Sequence, residues 1–291
     1  MFISIVSEGQ MDKIKVFCDS TADLSEELYK KYDIGIVPLH VTIGDNEYLD
    51  TVNINGAKLT ELSEKLDVLP KTSAVSVQTY IDIFKPYIDD GYKVIHINIS
   101  SKFSSCYQNC RLAAQELDGL YPVDSYNLST GSGHLVIVAA EMIAEGKSAQ
   151  EIVDCLEELK TRVDASFVIN KLDNLRKGGR CSALAALGAN LLNLKPCIDV
   201  KDGAMGVGKK FRGNLNKVIP QYVAARLEGK DNIQLNRIFV THSPMDESLV
   251  ELAVNEVKKY QPFSEILVTD AGATVCTHCG AGTLGILYIR K

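Results

Sequence analysis

No stretch of this chain reaches the roughly 18 to 20 apolar residues that a membrane-spanning helix needs. The opening Met1-Phe2-Ile3-Ser4-Ile5-Val6 lacks the basic start and long apolar centre of a secretory signal. Basic residues are not in excess: 31 Lys and Arg stand against 37 Asp and Glu, a net charge of −6. A nucleic-acid binder normally carries a basic face, so that class is set aside, although one small cationic pocket remains compatible with the balance. The GxxxxGK[ST] loop that cradles nucleotide phosphates is missing, and so is the GxSxG elbow of serine hydrolases. The eight cysteines show no paired zinc-knuckle spacing; Cys276-Thr277-His278-Cys279 has no second Cys/His pair after it. They read as unpaired, metal-free thiols used as small hydrophobes in a reducing cytoplasm. Internal repeats and low-complexity linkers are also missing.

What is present is ordinary soluble composition, 46% hydrophobic and 23% charged over 291 residues, enough for two domains. Residues 1–11 end at a second methionine and read as a start-codon extension or leftover segment outside the fold. Ile14 to Cys18 is a strand running into Asp19-Ser20-Thr21-Ala22-Asp23-Leu24, with Ser25 the N-cap of the helix that follows. Ligands collect at the carboxyl ends of strands in open α/β sheets, which makes Asp19, Ser20 and Thr21 candidate ligand groups, with capping as the plainer alternative. Ile34 to Val37 and Val41 to Ile43 are strand-like, Gly44 to Glu47 a turn, and Pro70 to Ser76 a hydroxyl-rich loop before a helix over Val77–Ile88.

Val94 to Ile99 is apolar enough for a central strand, and Ser100-Ser101-Lys102-Phe103-Ser104-Ser105 joins it to a helix from Cys106 to Leu117. Hydroxyls and free N–H groups at that helix start favour a carboxylate or phosphate. Strand and helix alternate again through Ser148, the cap of a helix reaching Arg162. The alternation predicts an α/β protein of two domains, 12–164 with a mostly parallel sheet and 165–291. In the second, Leu172 to Gly179 is a short glycine-capped helix delivering Arg180, Leu184 to Leu192 is helical, and Asp202-Gly203 turns a hairpin that Arg212 ends. Ile238 to Thr269 is a strand–helix–strand unit. Thr277-His278-Cys279-Gly280-Ala281-Gly282-Thr283-Leu284-Gly285 reads as a glycine-rich bend presenting His278 beside the final strand.

Taken together, Asp19 to Leu24, Thr72-Ser73, Ser100 to Ser104, Leu175-Arg176-Lys177-Gly178-Gly179-Arg180, Leu194-Lys195-Pro196 and Thr277 to Gly285 resemble the signature blocks of the DegV family across residues 13–291. The resemblance implies two α/β domains with a tunnel between them that holds one long-chain fatty acid. It implies no further cofactor and no catalysis by the chain alone. The bound carboxylate would be presented to a separate ATP-binding fatty acid kinase subunit, which makes acyl phosphate for phospholipid metabolism. The partners expected are therefore the fatty acid and that kinase subunit, with no nucleic acid; transient membrane contact stays open. Carried onto this sequence, the carboxylate ligands would be Thr72 (or Ser73), Ser104, Ser105 with the N–H groups of its helix, and His278, a donor able to become cationic. Arg180 and Arg212 would serve the portal or the kinase contact. Three positions depart from the family pattern: Ser105 for glycine, Cys279 for a small residue and Ala281 for proline. The rival readings are a serine-type acyl hydrolase with His278 as base, and a ligand-free regulatory α/β protein.

Overall fold

The computed structural model describes residues 13–183 and 194–291. The expected helix over 184–192 and the segment 1–11 lie outside the described residues. The first half winds four parallel strands in the order β2-β1-β6-β7: β1 (Lys13–Asp19), β2 (Gly35–Val37), β6 (Tyr92–Asn98) and β7 (Leu120–Asp124). Their apolar runs are buried on both faces, as parallel strands between helices require. A separate antiparallel sheet, β4-β3-β5, joins β3 (His40–Ile43), β4 (Asn46–Leu49) and β5 (Lys71–Ser73). The second half is a mixed sheet in the order β10-β9-β8-β13-β11-β12. It is built from β8 (Val163–Val168), β9 (Leu194–Lys201), β10 (Ala204–Arg212), β11 (Ile233–His242), β12 (Glu265–Asp270) and β13 (Leu284–Arg290).

Local chemistry explains the helix boundaries. Ser25 accepts from Leu28 N to start α1 (Glu26–Lys31), as expected. Asn55 and Ser76 do the same for α2 (Gly56–Leu66) and α3 (Val77–Asp89), and α4 covers Cys106–Ala113. Ser148 and Glu151 form a reciprocal capping box on α6 (Ala149–Leu159). Between α4 and α6 lies α5 (Thr130–Ala144), apolar nearly all round and buried along its first three turns. It packs against β1 and β6 on one side and β8 and β13 on the other. His134 on α5 meets the Leu287 carbonyl of β13 at 3.0 Å, and Thr130 meets Thr241 of β11 at 2.6 Å. One core cluster accordingly runs from Val16 and Ile95 through α5 to Phe167 and Leu287, while a second covers the far face of the mixed sheet under α8 (Leu215–Leu227) and α9 (Glu247–Tyr260).

Several local expectations need correction. Gly44 and Asp45 alone make the β3–β4 turn, because Asn46 and Glu47 already pair with Ile43 and Thr42. Thr72 and Ser73 are not in a loop: β5 pairs antiparallel with β3, Thr72 opposite Val41, so a short edge strand fixes them. α4 stops at Ala113, short of Leu117. The block around His278 is not a bend at that residue. Ala273–Cys279 form a helix, α10, held by buried Ala273, Val275, Cys276 and Cys279; the chain turns only afterwards, at Gly280 (φ 73°) and Gly282 (φ 75°). His278 therefore projects from the last helical turn.

Candidate functional site

α10 reaches back from the mixed sheet to touch α2, β3, β5 and α7 (Asp173–Gly178). That crossing brings together residues far apart in sequence. His278 Nε2 lies 2.8 Å from Thr72 Oγ1, a contact spanning 206 positions. The pair closes a cavity of about 120 Å³ whose walls include Leu39, Ile99, Phe103, Leu128, Met205 and Val275. Of the residues singled out from sequence, Thr72, Ser73, Ser104, Ser105, Arg180 and His278 all line it. Arg212 does not: it is exposed at the end of β10, opposite Leu194. Asp19, Ser20 and Thr21 are buried and line none of it. Asp19 instead stitches the ends of β1 and β6, accepting from Ile99 N at 2.8 Å and Tyr80 Oη at 2.9 Å and meeting His96 Nε2 at 3.0 Å.

Polar groups crowd one end of the cavity. Arg180 leaves α7 beyond Gly179, whose φ of 69° ends that helix; its guanidinium donates to the Gly178 carbonyl at 2.7 Å and the Phe103 carbonyl at 3.4 Å. Gly178 has a second role, since a Cβ there would stand 2.6 Å from His278 Nδ1. Gly178→Ala should therefore tilt the imidazole off Thr72, read as a change in the His278 side-chain NMR resonances with little loss of thermal stability. Burial, with Arg180 adding repulsion, pulls His278 down to about 4. The ring is thus neutral at pH 7 in this structure, and its cationic form requires an anion beside it. Among the described residues, His278 Nδ1 has no hydrogen-bond partner, and neither has the buried Thr274 Oγ1, which also lines the cavity.

Among the described residues, no serine hydroxyl is hydrogen-bonded to His278. The hydroxyl on His278 is that of Thr72, while Ser104 donates to Cys106 Sγ at 3.1 Å. Burial keeps the thiols of Cys106 and Cys279 protonated, each pushed up to about 12, so neither is a thiolate nucleophile. No group of three or more metal-ligating side chains occurs among the described residues.

Leu128, Val275 and Cys279, the neck residues, wall both the cavity and a second, smaller pocket of about 30 Å³ that is bounded by Ala165, Phe167, Val200, Ala271 and Leu287 of the mixed-sheet half. On the opposite side, Thr72, His278 and Arg180 also face an outer cleft bordered by Lys71, Lys177 and Asn174. Thr72, His278 and Arg180 are thus shared by the cavity and the outer cleft, while Leu128, Val275 and Cys279 are shared by the cavity and the apolar pocket. Sequence reasoning missed Thr274, Met205 and the neck residues; Thr274 stands four positions before His278, one helical turn away, which is the signal that could have found it.

Two buried acid side chains, Asp23 and Asp50, hold the start of α10. Asp23 Oδ1 accepts from Gly272 N at 2.8 Å, and Asp50 accepts from Ala273 N at 2.7 Å and Thr274 N at 3.1 Å. Burial, reinforced by the neighbouring Asp50, pushes Asp23 up to about 8 despite its bonds from Ser129 and Gly272. A carboxyl raised from its ordinary 3.8 keeps its proton when folded and loses it when unfolded, so its stabilisation is lost as pH rises toward 8. His134 and His278, both pulled down to about 4, act oppositely, costing stability only below about 6.5. Between pH 6.5 and 8 the parent should therefore lose stability with a slope of at most about 1.4 kcal/mol per pH unit, and Asp23→Asn should flatten it. Parallel slopes for the two proteins in denaturant melts across that range would refute this.

Known proteins share this fold. The DegV family model, described as one of uncharacterised proteins, matches residues 13–291. A DegV domain-containing protein of Clostridium acetobutylicum is 34% identical over 283 residues, 97% of this chain and 100% of the relative. A DegV family protein from Thermus thermophilus, described by its fatty acid binding, superposes with a TM-score of 0.87 at 30% identity, covering 96% of this chain and 100% of its own. A DegV lipid-binding protein from Thermotoga maritima gives 0.85 at 28% identity, covering 96% and 98%. An α/β protein with a cavity lined from both halves of the chain is the class the fold and site define. Within that class, the chain belongs to the DegV family.

Proposed function

We propose that this protein binds one long-chain fatty acid, carboxylate at the Thr72–His278 gate and tail through the neck, and presents the carboxylate to a separate ATP-binding kinase subunit for acyl phosphate formation. The observation that carries the first part is the Thr72–His278 pair at the polar end of a cavity whose other end is apolar. A buried carboxylate must be hydrogen-bonded or paired, and the gate supplies a hydroxyl and a ring nitrogen for it, with Ser73, Ser104, Ser105 and Thr274 nearby. The resemblance to lipid-binding relatives supports the same ligand class.

Presentation is supported by the gate's second face. Thr72 and His278 border the outer cleft as well as the cavity, so a carboxylate held there is reachable by a second protein. Arg180 at the cleft and the exposed Arg212 are the groups assigned to portal or kinase contact. The chain itself supplies binding and orientation, and the kinase subunit supplies ATP. Residues 12–164 and 165–291 are treated as its two domains, supported by the change of sheet at β8.

The test is reconstitution. The protein loaded with oleate, ATP and a bacterial fatty acid kinase subunit should form oleoyl phosphate, trapped as the hydroxamate, and should form none when either protein is left out. Acyl phosphate or ATP hydrolysis by the isolated chain would overturn the non-catalytic reading. Oleate binding without phosphorylation by any such subunit would overturn the kinase partnership alone.

A further inference from the structure

Two signature stretches line none of the ligand cavity, Leu194-Lys195-Pro196 and Asp19–Leu24, and the side chains of the second are buried away from it. The place of this second block in the structure assigns it a different task. The block leads to Asp23, whose Oδ1 takes the Gly272 N–H at the start of α10 and whose Oδ2 lies 2.6 Å from Ser129 Oγ. Ser20 from the same block donates to Asp50 Oδ2 at 3.1 Å, and Asp50 takes the next two N–H groups of α10, those of Ala273 and Thr274. Three donors at the start of α10 are thus held by two acid side chains from the first half of the chain, 223 to 249 positions away. Gly272, the N-cap, has no side chain to do this itself.

The backbone carries strain at the same place. Asp23 has φ 52°, and Thr51, next to Asp50, has φ 66°, a conformation that a β-branched residue rarely adopts. Ser129, the partner of Asp23, sits at φ 53°, ψ −148°, a region kept almost wholly to glycine. Three non-glycine residues in left-handed conformations converge on one helix start. Such strain persists where surrounding structure over-determines it, and it clusters at functional sites.

We propose that Asp50 and Asp23 are positioning residues for ligand capture: by holding the Gly272, Ala273 and Thr274 N–H groups they fix α10, and with it His278 and Thr274, against the cavity. Neither aspartate touches the cavity; each acts through the helix. His278 sits one turn beyond Thr274 on a seven-residue helix, too short to define its own axis without such an anchor. The geometry separates the two acids. Both Asp50 oxygens accept, one from Ala273 N and the other from Thr274 N and Ser20 Oγ, so an amide in its place must turn an NH₂ toward a donor. Asp23 Oδ2 faces a hydroxyl, which can either give or accept. Ser129 also walls the apolar pocket, so the anchor touches the tail end of the site as well as its head. This inference rests on the reading of the cavity as a fatty-acid site.

The test pairs two readouts on Asp50→Asn. Oleate affinity is measured by calorimetry at 10 °C, well below the melting transition, and the His278 ring is followed by ¹H–¹⁵N correlation in the ligand-free protein. Val257→Ala, which opens a cavity under α9 on the far face of the mixed sheet, serves as an equally destabilised control. Asp50→Asn should weaken oleate binding at least about tenfold and move the His278 Nε2 resonance away from its hydrogen-bonded position. Val257→Ala should change neither. Asp50→Asn binding within about twofold of the parent with an unmoved His278 resonance would overturn the proposal, as would equal effects from Val257→Ala. Should Asp50→Asn fail to fold, Ser20→Ala removes one bond to the same carboxylate, and the same two readouts decide, with a smaller expected change. A parent that binds no oleate would refute the fatty-acid reading, and the His278 resonance would still decide whether Asp50 sets the imidazole.

Discussion

His278→Ala is expected to lose fatty-acid capture almost entirely while melting close to the ligand-free parent. The tail supplies most of the affinity, at about 0.8 kcal/mol per buried methylene, but only if the carboxylate at its end is satisfied. A hydrogen bond to a charged group contributes roughly 1.5–3 kcal/mol, and removing its partner leaves the charge desolvated and short of a donor. His278 is the group there that can turn cationic: burial and the Arg180 charge depress its pKa, and an anion at Nε2 would draw a proton onto the ring. The ring fills little of the core, being half-buried at a helix end, so its loss should cost the fold little. Titration with oleate and a thermal melt measure the two halves of the prediction. Thr72→Ala should fall in the same direction with a smaller loss, since Thr72 offers one neutral hydroxyl. A His278→Ala protein that binds and presents oleate like the parent would remove His278 from the site.

The second large effect concerns the neck. Cys279 lies on the C-terminal turn of α10 and borders both the cavity and the apolar pocket beyond it. Cys279→Phe should fill that passage and turn a long-chain site into a short-chain one. Excluding about four methylenes from burial forfeits about 3 kcal/mol, roughly a hundredfold in affinity. The carboxylate end is untouched, so octanoate, too short to need the inner pocket, should bind the variant nearly as well as the parent. Overpacking costs about 1–3 kcal/mol of stability, and the melting temperature should fall accordingly. Equal weakening of octanoate and stearate would mean that the tail does not pass Cys279.

The α/β class was legible because its signals are local. Apolar strands end in cap residues, and Ser25 and Ser148 cap where their sequence context says they should. The parallel order of the first sheet follows from that alternation. Motif resemblance singles out Thr72, Ser104 and His278, which line one cavity, but the Thr72–His278 contact has no local signature, since it depends on α10 crossing to an edge strand 206 positions earlier. β5, with three residues, is too short for any period to register. Three glycines after His278 hid the helix before them, because glycine density signals a turn and the turn starts only at Gly280. Asp19 to Thr21 pointed to a ligand because strand ends in open sheets usually face one; here α10 covers that end, and Asp23 and Asp50 are spent on the helix instead. Arg212 looked equivalent to Arg180 in sequence, and only Arg180 reaches the cavity.

Native mass spectrometry of freshly purified protein, followed by denaturation and analysis of the released lipid, tests the central claim most directly. The account predicts a single adduct that releases as one long-chain fatty acid per chain, and that disappears in His278→Ala. Protein that emerges ligand-free from a fatty-acid-replete host, and stays so after incubation with oleate or stearate, would contradict it.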